Sequence, residues 1–400
     1  MLKKINNKLI KLKLTEIGIS GDTTANIENE TISVFGGIPG EEVLAEIRNQ
    51  KQTKRKQNQR FATVKHVIKS SKHRVSTPCS FYGFCTGCNW QHIDYEYQLI
   101  LKKQLLENEI LKITNEKINI QNIIKSKDQY NYRNHARFTI RKNGQIGFTN
   151  KVNKKFVSIN KCLIMNEKIN THIQNLETYV GETSQMSVRV GINKDSYLIQ
   201  PKFKNNKIKT ITGQKSYYEK IDDYNFQISS PSFFQVNSSQ IITMKNTILS
   251  LLKNTNNNLL IDAYAGVGTF GILLSNYFKK IIGIEQSYSA VVDAKYNIRE
   301  LGNYEIIIGN SEEILSTIKS EIDVLLLDPS RKGCDEKLIQ NLIVNPVKNI
   351  IYISCEPKTL ARDLKLLTHQ SKYIIKSITP IDLFPNTHHV ESITLLTLNN

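Results

Sequence analysis

The 400-residue chain has one tryptophan, four methionines and only six cysteines, and it is short of acid, with 36 Asp plus Glu against 54 Lys plus Arg. It also lacks any apolar stretch near the roughly 18 residues that a membrane span needs. The opening, MLKKINNKLIKLKL, alternates Lys with Leu and Ile and holds neither an h-region nor a cleavage site. The sequence therefore reads as a soluble, cytoplasmic protein with no membrane partner. Cys79, Cys85 and Cys88 crowd together with Cys162 downstream, a pattern that in such a chain argues for a metal site rather than disulfides. There is no internal repeat and no long low-complexity tract. The deficit of acid leaves a formal net charge of +18, which suits a polyanionic partner such as nucleic acid. Composition bias is the alternative, because Lys, Asn and Ile are abundant throughout, as in a chain from an AT-rich genome.

At about 100–200 residues per domain, the length predicts two to four domains. Residues 8 to 69 carry short alternating apolar runs separated by the turn signals Gly21-Asp22, Gly36-Gly37 and Pro39-Gly40, which predicts a small antiparallel barrel. A dense basic run, KQTKRKQNQR at residues 51 to 60, sits on a strand-to-strand connection and suggests contact with RNA. A generic small β domain with a solvated charged loop explains the same pattern. The three close cysteines have the spacing C-x5-C-x2-C. Four thiolates suit zinc or an iron–sulfur cluster, and three clustered ligands plus one remote ligand is a spacing that iron–sulfur proteins use readily. Unliganded core cysteines are the bland alternative.

Apolar residues at helical spacing predict a packing helix over 93 to 119. From Tyr130 the period becomes two, with a turn at Asn143-Gly144 and hairpins through about residue 200. Arg133, His135, Arg137 and Arg141 then fall on one strand face, either a basic stripe for phosphates or a solvated edge.

The last third alternates strands and helices, which implies a parallel sheet. An apolar strand ends near Asp262 and opens into a glycine-rich turn in which Gly266, Gly268 and Gly271 spell G-x-G-x-x-G, the dinucleotide fingerprint. The fingerprint expects its first glycine directly off the strand, yet Asp262, Ala263, Tyr264 and Ala265 intervene. That wider loop counts against a pyrophosphate turn, whereas S-adenosylmethionine has no pyrophosphate to cradle. The following strands end at Glu285, suited to ribose hydroxyls, and at Asn310 and Asp328. The next apolar run ends on Cys355, meets Pro357 and restarts as an amphipathic segment. Strand, cysteine, turn and helix would present the thiol at the carboxyl end of a parallel sheet, where ligands bind. Cys355 is thus a candidate nucleophile, with a small core hydrophobe as the alternative. Two final runs with little room between them predict a closing hairpin.

Together, DAYAGVGTFG, LLLDPSRKG, SCEPKTLARDL and FPNTHHVESI resemble the RNA uracil-C5-methyltransferase family. CSFYGFCTGC with Cys162 resembles the iron–sulfur branch of that family, which acts on 23S ribosomal RNA. The likeness covers nearly the whole chain. It implies a multidomain α/β protein with a TRAM-like β-barrel over residues 1–70. A central β-rich iron–sulfur RNA-binding domain would span 75–92 and 126–231, and a Rossmann-like methyltransferase domain 93–125 and 232–400. By motif, Gln235, Tyr264, Gly266, Gly268, Thr269, Glu285, Asn310 and Asp328 would line the pocket for S-adenosylmethionine and uracil. Cys355 would be the nucleophile, Glu391 the general base, and Cys79, Cys85, Cys88 and Cys162 the ligands of a [4Fe–4S] cluster. Two positions depart from the family pattern: Ser330 replaces the second proline of D-P-P-R, and Glu356 stands where S-C-N-P has Asn.

The resemblance implies methylation of uridine at C5 in an unstacked segment of 23S ribosomal RNA; DNA is not expected as a partner, and monomer is the default state. Two other readings of the same residues are the same chemistry on a tRNA, and a non-catalytic RNA-binding iron–sulfur protein. An iron–sulfur oxidoreductase using the glycine fingerprint is disfavoured by the wide loop.

Overall fold

The alternating runs at the start of the chain form five strands: β1 (Leu9–Lys13), β2 (Thr23–Ile27), β3 (Glu30–Phe35), β4 (Glu42–Asn49) and β5 (Arg60–Lys69). In this computed structural model, residues 9–18, 20–28, 30–49, 60–150 and 153–399 are described, so the basic run at 51 to 60 lies outside them except for Arg60. The strands pair in the order β1-β4-β5-β3-β2. Period two puts Leu12, Ala25, Ile32, Val34, Val43, Ala45 and Ala62 on one buried face. The expected pairing was antiparallel throughout. Because β4 inserts between β1 and β5, however, β5 returns alongside β3 in parallel and the sheet is mixed.

Two compact units are present. One comprises Met1–Leu105, Thr149–Val157 and Phe384–His389, the other Leu106–Phe148, Ser158–Leu383 and Val390–Asn400. In the first, Trp90, Ile93, Leu101 and Leu105 pack with Ile38, and the Trp90 indole N–H donates to the Gly21 carbonyl at 2.7 Å. The buried Glu41 carboxylate accepts from Arg74 Nε and Nη2 at 2.7 and 2.6 Å. The boundary falls inside helix α1 (Tyr95–Thr114), the amphipathic stretch predicted at 93 to 119.

The second unit contains β6 (His135–Ile140), β7 (Ile146–Thr149) except Thr149, and helix α2 (Glu167–Leu176), while the short strand β8 (Phe156–Ser158) falls in the first unit except Ser158. Next come β9 (Gln185–Val190), β10 (Tyr197–Gln200), and the hairpin β11 (Ser216–Ile221) with β12 (Tyr224–Ser229). Strands β10, β9, β6 and β7 lie in that order in one sheet. Helix α3 (Ser238–Leu251) then leads to a seven-stranded sheet.

The strands of that sheet are β13 (Leu259–Asp262), β14 (Lys280–Glu285), β15 (Tyr304–Ile308), β16 (Val324–Leu327), β17 (Asn349–Ser354), β18 (Tyr373–Ile381) and β19 (Glu391–Leu398). Between them run α4 (Thr269–Leu273), α5 (Tyr288–Asn297), α6 (Ser311–Ile314), α7 (Glu336–Val344) and α8 (Pro357–Gln370). The order is β15-β14-β13-β16-β17-β19-β18, with the first five strands parallel and β19 antiparallel to both β17 and β18. Covered on both faces, β13 and β16 are buried along their whole length and read as continuous apolar runs. On one face Ile261, Ile284, Leu325, Ile350 and Tyr352 pack against Leu338 and Leu342 of α7 and Leu360 and Leu364 of α8. The closing hairpin is the one the last two apolar runs predicted.

Candidate active site

A parallel sheet puts all its strand C-termini on one edge, and here each of those ends carries a polar side chain. Strand β13 ends on Asp262, β14 on Glu285, β16 runs into Asp328 and β17 into Cys355, while Asn310 follows β15 as the N-cap of α6. Strand β19 runs the other way, so its first residue, Glu391, arrives at the same edge. Ser354 pairs with Ser392, which sets Cys355 beside Glu391.

A cavity of about 460 Å³ opens at the ends of β13, β14 and β15. That is within the roughly 300–1,000 Å³ of small-molecule sites. Its wall includes Tyr264, Glu285, Asn310, Glu312, Lys332 and Cys334. Glu285 is held at both oxygens: Gly266 N–H donates to Oε2 at 2.9 Å and Ser287 N–H to Oε1 at 2.7 Å. Each oxygen keeps a lone pair for a ligand hydroxyl. Gly266 has φ +56°, and a Cβ built there would meet nothing within 4 Å, so the loop leaves open space where backbone can approach a ligand. Gly268, in the left-handed region, is the N-cap of α4, and Thr269 is the first residue of that helix. Beneath the loop Asp262 Oδ2 accepts from Gly271 N–H at 3.3 Å, while Oδ1 is buried without a hydrogen-bond partner.

The donor set therefore fits a nucleoside-bearing cofactor: a fixed carboxylate for hydroxyls, an amide side chain and an open glycine loop. Of the residues expected on the cofactor side, Tyr264, Glu285 and Asn310 line this cavity, and Gly266 joins it through Glu285. Gln235 and Asp328 are not part of its wall.

Cys355, Asp328 and Glu391 form a second cluster, with Arg331 as the cation acting on it. Burial pushes the Cys355 thiol up to about 12, reinforced by the carboxylates of Glu391 and Asp328 and opposed by Arg331. Burial likewise raises Glu391 well above the usual carboxylate range, with Asp328 adding to the rise and Arg331 again opposing it. Asp328 itself is raised to about 7 by burial and by Asp262. Asp262, raised chiefly by burial, also reaches about 7. Arg331 was not singled out from the sequence, although LLLDPSRKG contained it.

Gln235 is buried in the loop after β12, and that loop is braced along its length. Asp293 of α5 accepts from Ser229 N–H, Ser229 Oγ and Ser232 Oγ at 2.8, 2.6 and 2.6 Å. Arg189 Nη1 donates to the Ser232 carbonyl at 2.6 Å, and Asn134 Nδ2 to the Gln235 carbonyl at 3.0 Å. Phe233, 67% exposed, stands at the crest of this fixed loop. One turn further along α5, Asn297 Nδ2 donates to the carbonyls of Val267 in the glycine loop and Gln227 in β12. No sequence motif marked Asp293 or Asn297; each is an ordinary polar residue on a helix.

The expected cluster ligands are not gathered into one donor group. Among the described residues no set of three or more His, Cys, Asp or Glu side chains is arranged to hold a metal ion. Cys79, Cys85 and Cys88 belong to the first unit and Cys162 to the second, where its N–H donates to Asn170 Oδ1 at 2.9 Å. The basic stripe is also shorter than the sequence suggested. Strand β6 begins at His135, and Arg133 precedes it with its Nε donating to the His135 carbonyl at 2.9 Å. His135 is half-buried against Ser187, and burial together with Arg189, Arg133 and Arg137 holds it down to about 3. It is therefore neutral at pH 7, while Arg137 is exposed.

The sheet, its closing hairpin and the cavity at the strand ends together define a methyltransferase fold. Residues 193–399 match the family described as tRNA (uracil-5-)-methyltransferase. A Clostridium tetani protein named as an RNA methyltransferase is 30% identical, over 98% of this chain and 96% of its own length. A Listeria monocytogenes protein named the same way is 29% identical over 100% and 99%. The crystal structure of Pyrococcus abyssi tRNA (uracil-54, C5)-methyltransferase in complex with S-adenosyl-L-homocysteine superposes with a TM-score of 0.78 at 25% identity, covering 97% of this chain and 99% of that one. The chain belongs to the RNA uracil-5-methyltransferase family, whose members depend on S-adenosylmethionine. No helix among the described residues is long and apolar enough to cross a membrane.

The raised carboxyls make a prediction about stability. Asp262 and Asp328 have ordinary values of 3.8 and reach about 7 in the fold. Between about pH 4 and 7 the folded state keeps protons that the unfolded chain releases, so these groups make stability fall as pH rises through that window. Asp262→Asn removes one of them, and its melting temperature is expected to decline less between pH 4.5 and 7.5 than that of the wild type. Parallel melting curves across that range contradict the assignment.

Proposed function

We propose that this protein methylates C5 of a uridine in RNA through a covalent adduct, with Cys355 as nucleophile and Glu391 as general base. The observation that carries the reading is the meeting of a thiol and a buried carboxyl at one strand edge, next to a cavity suited to a nucleoside-bearing cofactor. Uracil is a weak nucleophile at C5. Addition of the Cys355 sulfur to C6 breaks the C5–C6 double bond and turns the ring into an enolate, nucleophilic at C5. When bound beside Glu285 and Asn310, S-adenosylmethionine supplies the electrophilic methyl group. Glu391 then takes the C5 proton, the C5–C6 double bond re-forms, and the Cys355 sulfur leaves. Gln235, fixed at its backbone by Asn134, is offered as the uracil-recognising amide, and Asp328 as a second group on the uracil side. Tyr264, Gly266, Gly268 and Thr269 complete the cofactor side. Ser330 and Glu356 sit beside this chemistry, and their departure from the family pattern is expected to tune the rate.

The cysteine pattern favours 23S ribosomal RNA as substrate. A tRNA is the second reading, supported by the tRNA specificity named for the Pyrococcus abyssi protein. Mapping 5-methyluridine in both RNA pools from cells lacking the gene separates them: loss of one site from 23S RNA is expected, and loss from tRNA alone overturns the ribosomal assignment. The residue ranges 1–70, 75–92 with 126–231, and 93–125 with 232–400 are the proposed functional division into RNA-binding barrel, cysteine-bearing β domain and methyltransferase.

Cys355→Ala and Glu391→Gln are expected to fail differently on RNA carrying the target uridine. Without the thiol, neither product nor adduct forms. Without the base, addition and methyl transfer proceed but elimination stalls, so a methylated protein–RNA adduct that survives denaturation accumulates. Undiminished methylation by Cys355→Ala, or an adduct mapping to Cys334, means the nucleophile is misassigned.

The spacing of Cys79, Cys85, Cys88 and Cys162 supports a [4Fe–4S] cluster, although no step above passes through it. Anaerobically purified protein is expected to contain iron and acid-labile sulfide in equal amounts, about four of each per chain. Stoichiometric zinc without sulfide, or active protein free of metal, overturns this.

A further inference from the structure

We infer that Asp363 is a positioning residue for the reaction: with Arg362 and Thr359 it locks the loop after β16 onto the helix that starts behind Cys355, and so fixes Arg331 beside the thiol. Helix α8 begins at Pro357, two residues after Cys355. Thr359, Arg362 and Asp363 are spaced i, i+3 and i+4, so they share one face. All three grip the same stretch of loop. Thr359 Oγ1 donates to the Arg331 carbonyl at 3.2 Å, and Arg362 Nη2 donates to the carbonyls of Lys332 and Cys334 at 3.1 Å each.

Asp363 is the centre of the lock. Its Oδ2 accepts from Cys334 N–H at 2.9 Å and from Tyr352 Oη at 2.7 Å, and its Oδ1 accepts from Arg362 Nε at 2.7 Å. Tyr352 lies on β17, the strand that delivers Cys355, so one fully buried carboxylate ties together the nucleophile's strand, its helix and the loop. The approach is close enough to demand glycine. Gly333 has φ +75°, and a Cβ there would lie 2.6 Å from both Arg362 Nη2 and Asp363 Oδ2.

The loop so held does two jobs. Ser330, Lys332, Gly333 and Cys334, with Arg362, form one wall of the cofactor cavity. The loop also carries Arg331, which opposes the rise of the Cys355 thiol caused by burial and by Glu391 of β19 and Asp328 at the end of β16. A merely structural bracket would affect only melting. A positioning residue also moves the ionisation of Cys355, because displacing Arg331 leaves the thiol facing Glu391 and Asp328 alone.

The catalytic consequence rests on Cys355 being the nucleophile, so the test reads the thiol directly. Full-length protein without cofactor is treated with methyl methanethiosulfonate between pH 7 and 9.5, and modification at Cys355 is followed by peptide mass spectrometry. This resolves it from the other five cysteines. Thiolate is the reacting form, so below the thiol's pKa an upward displacement of one unit slows modification about tenfold at fixed pH. That displacement is expected in Asp363→Asn, and also in Arg362→Met, which removes the bonds to Lys332 and Cys334 should the buried substitution fail to fold. In whichever of them is folded, kcat for methyl transfer is expected to fall with the modification rate, while KM for RNA changes less than about threefold. A folded variant that modifies Cys355 at the wild-type rate across the whole range overturns the inference. If instead Cys355→Ala still methylates RNA, the nucleophile assignment fails while the modification comparison stands.

Discussion

The organising constraint of this active site is that a buried carboxyl, Glu391, shares one strand edge with two half-buried acids, Cys355 and Asp328, while Arg331 opposes the rise of Cys355 and Glu391. Desolvation dominates all three; Glu391 and Asp328 add to the rise of Cys355, Asp328 adds to that of Glu391, and Asp328 is itself raised by Asp262. Cys355 therefore holds its proton near neutral pH in the free protein, and burial favours the protonated form of Glu391. The proposed reaction never requires both charges together. While Cys355 is thiolate, Glu391 need not be ionised. Once the sulfur is bonded to C6 its charge is gone and no longer opposes loss of the Glu391 proton to solvent, after which the carboxylate accepts the C5 proton. The same burial that makes the resting site sluggish orders the steps.

Such an arrangement needs the strand ends held in register, and the parallel sheet does most of that. Five parallel strands present their C-termini along one edge, and the antiparallel β19 brings its first residue to the same edge from the other direction. A sixth parallel strand in its place would put Glu391 at the far end of the sheet. The closing hairpin is thus what allows a base from the end of the chain to stand beside a nucleophile contributed by β17.

Much of this was legible before any coordinates. Strand, cysteine, proline and helix around Cys355, the carboxylate ending β14 and the two late apolar runs each carry a local signal, and the structure places them at one edge. The wide glycine loop was legible too, because the three residues between Asp262 and Gly266 leave space that a pyrophosphate turn does not use. Arg331 and Asp363 carry no such local signal, since their role depends on contacts between a loop and a helix about 30 residues apart. The i, i+3, i+4 spacing of Thr359, Arg362 and Asp363 was the available signal. The mixed pairing of the first sheet was not legible because alternation fixes faces, not strand order. For the cysteines, spacing suggested a common ligand set, while the described side chains form no such group.

The remaining precision comes from buried polar brackets rather than from the apolar core. Asp293, Asn297, Glu219 and Asp363 are all buried, and each makes at least one bond to a backbone or hydroxyl group of a loop. Asp293 and Asn297 sit four residues apart on α5, so a single helix holds the Gln235 loop with one side chain and the glycine loop with the other. Asp363 does the equivalent for the loop of Arg331. Hydrophobic packing is non-directional and would leave a surface loop several similar positions, whereas a buried carboxylate with two or three donors accepts only one. A buried charge is a poor source of stability compared with a well-packed apolar group. Its repeated use behind each loop of this site is therefore better explained by the need to fix a nucleophile, a base and a methyl donor within reach of one flipped base than by the need to keep the chain folded.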